Sequence, residues 1–81
     1  MTAGKKIESH EQTTIVGRHA VTVVFWEPGN AEIYSQSVNP KTGKPWQARR
    51  NIRHFFGTYA SMKALIAYER EIKRLKEQNN A

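Results

Sequence analysis

One run constrains this chain more than any other. Residues 19–27 read HAVTVVFWE, a segment dense in the β-branched and aromatic side chains that fit a pleated surface. Alternation puts Val21, Val23 and Phe25 on one face and Thr22, Val24 and Trp26 on the other. A strand needs a partner, and Glu27-Pro28-Gly29-Asn30 leads to one. Pro at the second turn position and Gly at the third are what a type II turn requires, because glycine takes the positive φ there without strain. The hairpin returns over residues 31–38, where Ile33 and Tyr34 alternate in an otherwise polar run, as in a sheet with one wet face. Upstream, residues 13–16 extend the first strand, with Gly17 as a break or bulge.

The return strand is stopped by residues 39–45, NPKTGKP, a loop rich in breakers. Residues 46–56 carry Trp46, Ile52, Phe55 and Phe56 at spacings that fit neither period well, but the paired aromatics and the following Gly57 favour a third strand over a short helix. Ser61 then caps a helix running to about residue 76. On it Met62, Leu65, Tyr68, Ile72 and Leu75 share one stripe, with Ala64 at its edge. The expected fold is α+β: a three-stranded antiparallel β-sheet packed against one C-terminal α-helix, in the order β-β-β-α. Residues 1–12 read as a flexible arm, 13–77 as a single domain and 78–81 as a frayed end. The heptad-like spacing of Leu65, Tyr68, Ile72 and Leu75 would also allow two helices to pair. Because a lone domain must first cover its own sheet, a monomer is favoured over that dimer.

A chain of 81 residues has room for one hydrophobic core. With no cysteine there is neither a disulfide framework nor a thiolate metal site, which favours a reducing cytoplasm. No apolar run exceeds five residues, against about 20 for a membrane span, so no membrane partner is expected. Thirteen Lys and Arg against seven acidic residues leave a net charge of +6, enough to attract polyanions. Its placement is more telling. No carboxylate occurs between Glu32 and Glu69, an interval that carries Lys41, Lys44, Arg49, Arg50, Arg53 and Lys63.

Catalytic patterns are sparse. His10, His19 and His54 have no partners at helical spacing and no Cys companions, so no metal site is expected. The serines lack a nucleophile-elbow context and the glycines form no phosphate cradle, so neither an enzyme nor a cofactor is expected. A phosphodiesterase built on His54 beside Arg49, Arg50 and Arg53 is the one catalytic alternative, and nothing selects it over binding. The segment that stands out is 39–53, NPKTGKPWQARRNIR. On a third strand Gln47, Arg49, Asn51 and Arg53 point one way, and Ala48, Arg50, Ile52 and His54 the other. Arg meets guanine and Asn or Gln meets adenine through paired hydrogen bonds, while Lys41 and Lys44 suit phosphates. Trp46, Trp26 and Phe55 are candidates for stacking on bases, whereas Phe25, Phe56 and Tyr68 are expected in the core. On the helix Lys63, Arg70 and Arg74 fall within about 40° of one another, forming a second basic strip opposite the apolar stripe.

Two stretches together resemble the AP2-type DNA-binding domain and the related amino-terminal arm-binding domains of integrases. They are Asn39-Pro40-Lys41-Thr42-Gly43-Lys44, similar to that family's strand-to-strand loop, and Phe56-Gly57-Thr58-Tyr59 leading into the helix from Ser61 to Glu69. The resemblance covers about half the chain. It implies a three-stranded sheet on one helix, with the sheet face entering a major groove and the contacts made by Arg49, Asn51 and Arg53 of the third strand together with Lys41 and Lys44 of the loop. The chain departs from the family in the long interval between loop and Gly-Thr turn, and in a first strand without arginines. The expected function is a small basic nucleic-acid-binding protein without catalysis, contacting duplex DNA in preference to RNA through its sheet and residues 39–53. The alternatives are a phage-type factor that docks on a host nucleic-acid enzyme through its charge and an exposed Trp26 or Trp46, and an RNA-binding module.

Overall fold

The computed structural model describes residues 10–27 and 29–79. It is an α+β fold with four strands: β1 His10–Val16, β2 His19–Glu27, β3 Asn30–Ser37, β4 Arg50–Phe56, then α1 Ala60–Asn79. The sheet is an antiparallel meander in the order β1-β2-β3-β4. Local chemistry and chain order agree, since each strand pairs with its sequence neighbour.

The strand count corrects the three-stranded expectation. Residues 13–16 do not extend β2 but belong to a separate β1, which begins at His10 and so takes in residues 10–12, read above as the end of the arm. The reason lies at Gly17. Val16 pairs with His19, leaving a loop of Gly17 and Arg18 alone, with φ of 61° at Gly17 and no positive φ at Arg18. A two-residue hairpin of the II′ type needs glycine at its first central position, so Gly17 is a turn rather than a bulge.

At the β2–β3 turn Gly29 has φ of 85°, as the turn chemistry anticipates; Pro28 lies outside the described residues. Gly29 is also a contact. Its carbonyl accepts the Gly57 N–H at 3.0 Å, and a Cβ on Gly29 would stand 3.3 Å from the Gly57 carbonyl oxygen. This junction ties the β2–β3 turn to the turn that starts the helix.

Register assigns the faces. Val21, Val23, Ala31 and Ile33 form the helix-facing side and are fully or almost fully buried with Ala64, Tyr68 and Leu75 of α1. Phe25 and Phe55 pack at the margin. The Tyr68 hydroxyl shares a 2.7 Å hydrogen bond with Thr14 of β1, so the ring fills the core while its polar tip finds a partner.

The helix sits slightly rotated from its expected orientation. Ala60, Ala64, Tyr68 and Leu75 are buried and Ile72 partly so, while Met62 and Leu65 are exposed. Small side chains let α1 approach the sheet closely, and this interface outweighs the wider stripe of larger apolar residues. Tyr68 and Leu75 therefore pack inside their own domain rather than against a second helix. The helix also begins before Ser61: the Lys63 N–H donates to the Tyr59 carbonyl, and the Ala60 N–H to Gly57. Tyr59 thus occupies the capping position assigned above to Ser61. No helix among the described residues is long and apolar enough to cross a membrane.

Candidate functional site

The segment from 39 to 53 does not form one surface. Residues 39–44 make a loop braced by its own side chains. The Asn39 Oδ1 accepts the Lys41 N–H at 2.8 Å, the Thr42 hydroxyl accepts the Lys44 N–H at 3.2 Å, and the Gly43 N–H donates to the Asn39 carbonyl at 2.7 Å. Lys41 and Lys44 are exposed on it. The loop lies toward the β1–β2 end, since Val38 N–H bonds the Arg18 carbonyl and Gly43 faces the Ile15 side chain. Trp46 is 58% exposed and Gln47 is exposed; both precede β4 rather than belonging to it.

A bulge in β4 decides the rest. Ile33 pairs with Arg53 and Tyr34 with Asn51, so Ile52 is an extra residue on β4. An extra residue breaks the two-residue alternation, and side chains on its two sides no longer share a face. Arg49 and Asn51 lie on the sheet face away from the helix, with Tyr34. Arg53 lies with Ile33 on the helix side, where its guanidinium stacks 4.8 Å from the Phe55 ring centroid. Arg50 pairs with Ser35 and is also on the helix side. The expected reading set of Arg49, Asn51 and Arg53 is therefore split between two faces.

The face away from the helix is a closed network. Arg49 lies 4.3 Å over the Tyr34 ring and pairs with Glu11 of β1 at 3.2 Å. The Asn51 amide donates to the backbone carbonyls of Ile33 and Arg53. Glu32 accepts from the Trp26 indole at 2.5 Å and the Tyr34 hydroxyl at 2.8 Å, with His54 Nδ1 at 3.5 Å. Burial raises the Glu32 carboxyl, but the hydrogen bonds from Tyr34 and Trp26 and the nearby charges of His54 and Arg49 outweigh it and hold the pKa below its ordinary value. Burial, then the bond to Glu32, pushes the Tyr34 phenol up. Ala20, Thr22 and Val24 are buried on this face as well. Trp26 is thus a structural donor. His54, held also by Asn30 at 2.7 Å and with its ring tilted against Phe56, is on the opposite face from Arg50 and Arg53. Phe56, expected in the core, is 70% exposed.

The structure does bring cations together elsewhere, between β4 and α1. A cavity of about 480 Å³ is lined by Arg53, Lys63, Arg70, Arg74 and Glu71, with Ile33, Ile52, Phe55, Ile66 and Ala67. A second hollow of about 430 Å³ adjoins it, sharing Ile52, Glu71 and Arg74 and adding Arg50, His19 and Gln78. Together they make one groove along the helix. The exposed strip Lys63, Arg70 and Arg74 thus flanks a groove together with Arg53. Arg74 is paired with Glu71; Arg50, Arg53, Lys63 and Arg70 have no ion pair among the described residues.

The floor residues Ile52, Ile66 and Ala67 were not singled out as site residues from the sequence, although one signal was present. Ile66 interrupts the basic strip at helical spacing from both Lys63 and Arg70, an apolar residue where a solvated face would carry a polar one. Among the described residues no group of His, Cys, Asp and Glu could hold a metal ion. Comparison of the chain with protein-family models, curated proteins and solved structures finds no significant match.

Proposed function

We propose that this protein binds nucleic acid without catalysis, through the groove between β4 and α1 rather than through the open sheet face. The observation that supports it is the gathering of Arg50, Arg53, Lys63 and Arg70 along one groove, none of them ion-paired among the described residues, while the lining carboxylate Glu71 is taken by Arg74. Guanidinium groups offer forked donors that match phosphate oxygens, and cations gathered without ion pairs of their own repel one another unless an anion is near. The open face has no comparable claim, because Arg49, which precedes β4 and lies above Tyr34 on that face, is already paired with Glu11. A major-groove contact by the sheet, as the AP2-type resemblance implies, would have to break that network. Lys41, Lys44 and Trp46 remain exposed outside the groove and are free to add a peripheral contact.

The test is a titration of fluorescein-labelled DNA, duplex and single-stranded, at rising salt. Four neutralised phosphates give a slope of log affinity against log salt of about −3 to −4. A flat response, or no binding to either form, overturns the proposal. A docking role on a protein has its own support in Tyr59, Met62 and the groove residue Ile66, 61%, 54% and 45% exposed at helical spacing. Capture of a partner from nuclease-treated lysate, lost in Met62→Glu but kept in Arg70→Glu, would favour that reading.

A further inference from the structure

We infer that the β4–α1 groove takes a single strand, with an unstacked base on its apolar floor and phosphates on its rim. The inference rests on the nucleic-acid reading above and names the form of the ligand. Three observations carry it. The floor of the groove is apolar: Ile33, Ile52, Phe55, Ile66 and Ala67 line it beneath the cations. In a duplex the apolar faces of the bases are stacked inside and only charged backbone reaches a cleft, so such a floor would desolvate phosphate with nothing to offset the cost. A single strand presents both surfaces at once.

Second, the Arg53 guanidinium lies over the Phe55 ring, 4.8 Å from its centroid, so a cation and an aromatic ring adjoin in the groove lining. A base stacks on such a platform while the guanidinium edge still meets a phosphate. Third, the groove is long. Its lining on α1 runs from Lys63 to Gln78, about 22 Å by helical rise. Strand and helix both supply cations along it: Arg53 with Lys63 and Arg70 in one hollow, Arg50 with Arg74 in the other. That arrangement follows a linear polyanion, whereas a duplex approaching a convex helix meets one wall at a time.

The experiment uses the full chain and fluorescence anisotropy with labelled oligothymidylate, a blunt duplex of equal length, and polyglutamate as a competitor that carries charge but no bases. The expected result is binding of oligothymidylate about tenfold or more tighter than the duplex, with polyglutamate a poor competitor. Lys63→Glu and Arg70→Glu, both at exposed positions, lower that affinity by about tenfold each with an unchanged circular dichroism spectrum. Phe55→Leu weakens oligothymidylate several-fold with little change in salt slope, and Lys41→Glu has little effect. Duplex binding as tight as single-strand binding overturns the single-strand inference and leaves the nucleic-acid reading standing. Polyglutamate competing on a par with oligothymidylate overturns the inference in favour of an acidic protein ligand. Failure to bind any nucleic acid overturns both.

Discussion

Glu32 shows how much of this molecule turns on single side chains. Its carboxylate accepts from Trp26 and Tyr34 and faces His54, so one acid joins three strands on the face away from the helix. Because its folded pKa is depressed, it stabilises the fold above the ordinary carboxylate range, and that contribution is lost as pH falls through the folded pKa. Glu32→Gln should therefore cost about 1–2 kcal/mol near neutrality. It should also reduce the drop in thermal midpoint on acidification relative to the unsubstituted protein, a difference that melts across the acid range would measure. A midpoint that responds to acid identically in both would show that Glu32 carries no linkage. The residue types of this network were legible; its closure was not. Glu32, Tyr34 and Trp26 share a face by simple alternation, but Arg49 reaching Glu11 spans 38 positions in sequence, and no local pattern signals it.

At the scale of elements, β2, the β2–β3 turn and α1 follow from their own residues, since periodicity and turn chemistry are short-range. Two elements did not. The β1–β2 hairpin depends on reading Gly17-Arg18 as a complete two-residue loop, and the Ile52 bulge arises only when β4 is laid against β3. The helix gives a direct test of packing over pattern. Ala64 is fully buried and Met62 is 54% exposed, although hydrophobicity alone ranks them the other way. Ala64→Leu should destabilise by about 1–3 kcal/mol through overpacking. Met62→Ala should stay within about 0.5 kcal/mol. Denaturant unfolding of the two variants decides it, and the reverse order would mean that the helix is rotated back toward its sequence stripe.

For the whole molecule, binding and folding separate in a measurable way. Lys63 and Arg70 are exposed and have no ion pair among the described residues, so Lys63→Glu with Arg70→Glu should leave unfolding free energy within roughly 1 kcal/mol while removing most nucleic-acid affinity. Parallel unfolding and binding titrations check both halves; a large loss of stability would mean that these cations serve the fold. The sequence by itself determined that the chain is a small basic α+β domain with an antiparallel sheet and a C-terminal helix, and that its cations cluster around the middle. Those properties depend on composition and on neighbours a few residues apart. Only the tertiary structure decided which cations meet. One extra residue at Ile52 turns Arg53 to the helix side, and the close approach of Ala60 and Ala64 swings Lys63 and Arg70 toward it. Both depend on pairing and packing between distant segments, where side-chain direction is set by what each element rests against.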